Sequence, residues 1–348
     1  MSVKTKAYFP YFDYLRLTLA CIVMLSHAEV FSWQPAGKLA VEVFFALSGW
    51  LIGNILTKVS KDELPQFYFN RAVRIWIPYY IALLILLGFS VIFDPINAKW
   101  SEFVVYKITQ VYNIFGPSQL ATNREDMPLN GIGNHFWSVN AEEQFYLVAP
   151  LLLVLLSSIG RKISVWILVF VIVWAVGVYP SISLGVLAAV INKYFFGFYR
   201  VKSVKAGMVI FFTLASLGLS QAEHYQSNEF RIFAPVFSIC LVLLLAIEGK
   251  KTSFGEFVGG ISYPLYLNHW IGLVFVNKLY FYLQTPEHQT KVLLGAFLNI
   301  VFASCLYWFV ERKVLQIRLK LFTKKRGLIL TTVAYGMVAL GVAVGLSI

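Results

Sequence analysis

Two residues in the apolar stretch YFDYLRLTLACIVMLSHA (11–28) are of types that do chemistry, Arg16 and His27. Ionisable groups inside lipid are costly, and as a rule they face a protein interior or a water-filled path. Imidazole titrates near neutral pH and can take a proton from a hydroxyl. Guanidinium is a fixed cation whose planar fork matches carboxylate or phosphate oxygens. On a helix rising ~1.5 Å per residue the two lie roughly 16 Å apart. That is about half of a ~30 Å hydrocarbon core, so the run places a cation near one face and a base near mid-depth. The plainer reading of His27 is a core histidine bonded to a neighbouring helix.

Further groups invite the same question. Arg71 and Arg74, in FNRAVRIWIPYY, share one helix face through their i, i+3 spacing. They suit a phosphate clamp, or simply anchor a helix end at the inner membrane surface. The segment HFWSVNAEEQFY (135–146) gathers His135, Trp137, Asn140, Glu142, Glu143, Gln144 and Tyr146. Adjacent carboxylates point about 100° apart on a helix, so at least one can face a bundle. Acid at a helix start also favours the dipole, which is the structural alternative. Glu42 and Ser48-Gly49 lie on a second apolar run, with Gly49 a point of close helix packing. His269 stands beside Asn268 in ISYPLYLNHW as a site wall or a structural bond. His224 and His288 fall in segments expected outside. The three cysteines, Cys21, Cys240 and Cys305, lie in apolar runs without metal or redox spacing, so no metal centre is expected.

The elements that must position these groups are membrane helices. The chain is 59% hydrophobic and only 13% charged, with mean hydropathy +0.71. A soluble domain is about 25% charged. Apolar runs long enough to span number about ten or eleven, with cores at 14–31, 39–57, 75–93, 139–157, 163–179, 181–199, 206–220, 232–248, 261–282, 292–310 and 328–347. The expected fold is an all-α polytopic transmembrane bundle forming a single integral-membrane domain over 1–348. Its core is 11–313, with an additional C-terminal helix at 328–347 and no appended soluble domain.

The formal charge of +12 is distributed as a topology signal. With a cytoplasmic N-terminus, Lys4, Lys6, Arg71, Arg74 and the basic run from Arg312 to Arg326 all fall inside. That removes the need for a nucleic-acid partner. Lys4 and Lys6 ahead of an apolar run resemble a signal peptide, but the run is too long and lacks a small-x-small site, so it reads as an uncleaved first helix. The one long connection, 94–136, is rich in turn formers and reads as a lid or acceptor-binding loop.

These motifs resemble the membrane acyltransferase family 3, which includes O-acetyltransferases of bacterial surface polysaccharides. FDYLR…H resembles the family's opening block, with ten residues between Arg16 and His27. VEVFFALSGWLI, FNRAVRIWIPYY, WSVNAEEQFYLVAPLLL and ISYPLYLNHW resemble four further blocks in the same order. The chain departs at Asn268, at Ile271 and at Glu311-Arg312-Lys313, where a Glu-Arg-Pro is usual. The resemblance implies an O-acyltransferase of the bacterial inner (plasma) membrane, moving an acyl group, most often acetyl, to a hydroxyl of a surface or lipid-linked polysaccharide. The donor is acyl-CoA, a co-substrate, with no tightly bound cofactor. On this reading Arg16, Arg71 and Arg74 hold CoA phosphates, and His27 acts as general base or as an acyl-histidine. Glu142, Glu143 or Glu42 orients the imidazole. Glu42, Ser48, His135, Trp137, Gln144, Tyr146 and His269 line the substrate site. Two other readings stay open: a transporter or flippase of a lipid-linked glycan, and an acyltransferase with a lipid or small-molecule acceptor.

Overall fold

The computed structural model describes residues 8–283 and 288–347. Lys4 and Lys6 lie outside the described residues. Helices make up 83% of the structure, and no strand occurs among the described residues. Each of the eleven expected apolar cores overlaps a helix, several running past its end. Five helical stretches (36–56, 61–93, 202–219, 289–321 and 324–347) are long and apolar enough to cross a membrane. Large apolar side chains such as Leu84, Ile92, Phe211 and Leu293 face outward from their helices. Such a surface suits lipid, where a helix satisfies its backbone internally. The chain is an all-α integral-membrane protein. It forms two compact units, one of residues 1–58 and 156–305, the other of residues 59–155 and 306–348.

In the first unit, the helix Pro10–His27 packs along the helix Ser253–Asn268. Proline at its start suits the first turn, which has no use for the missing N–H. Its far end is shorter than the apolar run suggests. The Val30 N–H donates to the Leu25 carbonyl and the Glu29 N–H to the Ser26 carbonyl, each at 3.1 Å. Glu29 is left-handed, with φ +56°. This is a Schellman ending with glutamate where glycine is usual. His27, expected near mid-depth, is therefore the last residue of its helix.

The helix Ala36–Leu56 packs tightly on Pro180–Tyr194. A Cβ added at Gly49 would lie 2.1 Å from the Ile182 carbonyl oxygen, and one at Gly185 2.3 Å from that of Ala46. The backbones touch, as small residues permit between membrane helices. Across the same seam Asn192 donates to Asn54 at 2.8 Å. The turn into Pro180 is tight, with Gly177 and Tyr179 both left-handed. The apolar core at 261–282 is interrupted at His269, and the helix Trp270–Leu283 follows.

The second unit is built on the 30-residue helix Leu64–Phe93. It begins well before the core at 75–93, so Arg71 and Arg74 lie inside it. The helix Lys324–Ser347 runs along it, with Gly327 against the Pro65 carbonyl. Tyr68 and Tyr335 join their hydroxyls at 3.0 Å, and Tyr335 donates to the Leu147 carbonyl at 2.8 Å.

The connection expected to be an irregular loop is folded. Asn97 caps a helix Ala98–Ile108 by accepting the Trp100 N–H at 2.7 Å. Phe103, Tyr106, Val111, Tyr112 and Met127 then bury together. The turn formers marked its bends, but its aromatic residues supply a small core. Lys107 is buried within it, donating to the Gly133 carbonyl at 2.8 Å over the Tyr112 ring.

Candidate active site

Within the first unit, the first helix carries both of its marked residues in defined settings. Asp13 pairs with Arg16 at 3.1 Å, one turn apart, and accepts a short hydrogen bond from the Tyr8 hydroxyl. Gly259 of the partner helix leaves room for this carboxylate, since a Cβ there would lie 2.5 Å from Asp13 Oδ1. The Arg16 guanidinium is thus oriented by a carboxylate of its own helix.

At the other end, His27 Nδ1 lies 2.9 Å from the Val23 carbonyl oxygen. A carbonyl can only accept, so Nδ1 carries the proton. In the neutral ring the lone pair is then on Nε2. His269 repeats the arrangement, with Nδ1 2.8 Å from the Tyr266 carbonyl oxygen. The two rings face each other with centroids 4.8 Å apart and planes at 33°. His27 is exposed, whereas His269 is only 1% exposed. One accessible imidazole therefore stands against a fixed one. The sequence left His269 as a site wall or a structural bond; here it is the neighbour of His27.

Glu42, buried on the second helix, accepts a short hydrogen bond from Ser181. Ser48 precedes the Gly49 contact and is half-buried.

In the second unit, Arg71 and Arg74 do share a helix but differ in setting. Arg71 lies over the Phe67 and Tyr146 rings at 5.8 and 5.7 Å, and its buried Nε has no hydrogen-bond partner among the described residues. Arg74 is exposed. Glu143 is buried: Oε2 accepts the Trp76 indole N–H at 2.8 Å, while Oε1 has no partner among the described residues. Glu142 accepts a short bond from Tyr146, one turn along the helix Phe136–Pro150. Glu142 and Glu143 both lie within electrostatic reach of Arg71. The structure thus gathers Arg71, Glu142, Glu143 and Tyr146 into one polar cluster.

Other residues of this segment are engaged elsewhere. Gln144 exchanges two hydrogen bonds with Asn113, at 2.9 and 2.8 Å, and donates to the Gln110 carbonyl at 2.9 Å. Its amide ties the helix Phe136–Pro150 to the folded connection. Asn140 donates to Tyr79 at 2.9 Å and accepts the Tyr112 N–H at 3.2 Å, to the same effect. Trp137 packs against the aromatic cluster of the connection. His135 is buried beside Phe136, with ring centroids 4.8 Å apart.

A family model described as an acyltransferase domain matches residues 9–310, most of the chain. The chain belongs to acyltransferase family 3. Curated relatives at modest identity carry the same family's chemistry in their names. O-acetyltransferase OatA of Staphylococcus aureus strain NCTC 8325 is 24% identical over 94% of this chain and 61% of its own length. The protein of that name in strain MRSA252 is 23% identical over 90% of this chain and 58% of its own. This family member thus spans about three fifths of the length of the curated relatives it matches. No solved structure matches the chain. Among the described residues no group of His, Cys, Asp and Glu is arranged to hold a metal ion.

Three residues of these settings escaped the motif reading: Asp13 beside Arg16, Trp76 on Glu143, and Asn299, taken up below. Asp13 and Trp76 stand inside the quoted motifs, but their partners are visible only in three dimensions. Asn299 had a signal of its own, a lone amide in the apolar run 292–310.

Proposed function

We propose that this protein is a membrane O-acetyltransferase of the bacterial inner membrane, taking acetyl groups from acetyl-CoA to a hydroxyl of a surface or lipid-linked polysaccharide. The observation that carries the reading is the His27 tautomer: Nδ1–H donates to the Val23 carbonyl, so the lone pair of the neutral ring is on Nε2. The names of the OatA relatives support acetyl as the group and oxygen as the acceptor atom.

The reaction divides into roles. His27 Nε2 removes the proton of the acceptor hydroxyl as its oxygen attacks the thioester carbonyl carbon. The new C–O bond forms, the C–S bond breaks, and the imidazolium returns its proton to the departing CoA thiolate. His269, fixed against the His27 ring, restrains its rotation. Arg71 and Arg74 are assigned to the CoA phosphates, which guanidinium groups bind in forked geometry. Arg16, held by Asp13, supplies the same type of group on the first helix. Glu142 and Glu143 are assigned to orienting Arg71, within whose electrostatic reach they lie.

Purified protein in liposomes, given acetyl-CoA and a glycan acceptor, is expected to release CoA thiol and acetylate the acceptor. His27→Ala abolishes both while its thermal unfolding stays near wild type; retained turnover in that variant refutes the base assignment. Arg71→Ala raises the apparent KM for acetyl-CoA more than it lowers kcat. Glycan movement without thiol release would instead mark a transporter.

A further inference from the structure

We infer that Asn299 is a positioning residue for the histidine pair: its amide ties down the backbone at the one-residue break between two helices at His269 and so holds that ring against His27. The inference rests on the catalytic role proposed for His27. Four observations in the first unit carry it. The amide Nδ2 of Asn299 donates a short hydrogen bond to the His269 backbone carbonyl. Its Oδ1 accepts the Gly272 backbone N–H at 2.7 Å. Asn299 is 2% exposed, so both bonds lie away from water. The helix Ser253–Asn268 ends at this place and the next begins at Trp270.

The chemistry follows from the backbone. A side chain inserted into the i→i−4 ladder is one recognised cause of a break in a helix. Each group freed from the ladder must find a partner when buried. An amide side chain offers one donor and one acceptor on adjacent atoms. Asn299 applies the donor to a carbonyl and the acceptor to an N–H three residues further on. No aliphatic residue can do this, and a carboxylate can do only half of it. Glycine makes the approach possible: a Cβ at Gly272 would lie 2.4 Å from the Gly295 carbonyl oxygen and 2.8 Å from Asn299 Oδ1.

The consequence reaches the site through His269. Its ring is tied to its own turn by Nδ1–H to the Tyr266 carbonyl, so ring and backbone move together. Freeing the backbone at 269 lets the ring move away from His27, now 4.8 Å off. Displacement of a catalytic group by ~1 Å can lower a rate about 100-fold. Removing the neighbour that restrains His27, rather than the base itself, is expected to cost about 10-fold or more in kcat.

The test uses the full-length protein in liposomes and in detergent. Asn299→Ala is expected to lower kcat at least 10-fold with the KM for acetyl-CoA within 2-fold. Asn299→Asp keeps the acceptor for Gly272 and is expected to recover part of that loss. On a His269→Ala background, Asn299→Ala should lower kcat no further, because its action passes through His269. A second readout needs no activity. Carbethoxylation of His269 by diethyl pyrocarbonate, mapped by peptide mass spectrometry against exposed His224, should rise at least 3-fold in Asn299→Ala. Unchanged kcat, an equal loss on both backgrounds, or unchanged His269 labelling overturns the inference. If wild-type protein transfers no acetyl group, the catalytic reading fails, and the labelling arm still decides whether Asn299 holds the ring in place.

Discussion

Adding one methyl group at Gly49 separates a contact that holds the site from mere helix propensity. In Gly49→Ala the new Cβ stands 2.1 Å from the Ile182 carbonyl oxygen, against the 3.4 Å at which ordinary contact begins. The obstacle is backbone, so no rotamer change relieves it. The helices Ala36–Leu56 and Pro180–Tyr194 must part by about 1.3 Å at their crossing, the difference of those distances. Overpacking of this kind costs about 1–3 kcal/mol, partly offset by the ~0.5–1 kcal/mol that alanine gains over glycine inside a helix. A net loss of about 1–2 kcal/mol, at roughly 2–3 °C per kcal/mol, lowers the Tm by about 2–6 °C. The same parting strains the Asn192–Asn54 bond and the Ser181–Glu42 bond on either side of the crossing. The matched control is Gly207→Ala, in the helix Lys202–Leu219, where an added Cβ meets nothing within 4 Å. That change is expected to raise the Tm by about 1–3 °C. Thermal unfolding of both variants in one detergent is the assay. Equal shifts in the two would show that the close approach at Gly49 contributes nothing beyond propensity.

Three further outcomes can be checked on the same preparation. Glu29→Gly relieves a left-handed residue at the end of the first helix and should add about 1 kcal/mol of stability, read as a higher Tm; an unchanged Tm would remove strain from the account of that helix end. Trp76→Phe deletes the indole donor of buried Glu143 and should cost about 1–3 kcal/mol, the penalty for leaving a buried acceptor without its partner. Adding Glu143→Gln should recover part of the loss, and strict additivity of the two changes would deny that the bond matters. Burial holds the Lys107 ammonium, outside the membrane helices, well below its ordinary pKa. Between its folded and unfolded values the unfolded chain binds more protons, so this residue makes stability rise with pH. The Tm of wild type minus that of Lys107→Met should therefore increase from pH 7 to pH 10, and a flat difference would contradict the assignment.

Helices were legible because their signal is the length of an apolar run, which a ~30 Å hydrocarbon layer demands of any spanning helix. Arg16 and His27 were legible for the converse reason, as ionisable groups in such a run. The end of the first helix was not. Its stop depends on Glu29 in a conformation that ordinarily calls for glycine, so residue type misleads there. The connection after Asp94 misled in another way: counting its turn formers passed over Phe103, Tyr106 and Tyr112, which bury against one another. Gln144 looked like a ligand-binding amide, yet its partners are Asn113 and Gln110, more than thirty residues away in sequence.

His269 and Asn299 define the limit most sharply. A motif can place a histidine near another histidine's helix, but the ring's direction depends on how the backbone beneath it is held. That hold comes from an amide 30 residues further along whose partners are main-chain groups. Main-chain groups are the same at every position, so no pattern of residue types reports which carbonyl Asn299 will meet. A buried amide within an apolar run therefore raises a question that sequence alone leaves unanswered: which break in a neighbouring helix does it hold. Here that break carries the ring beside the proposed base.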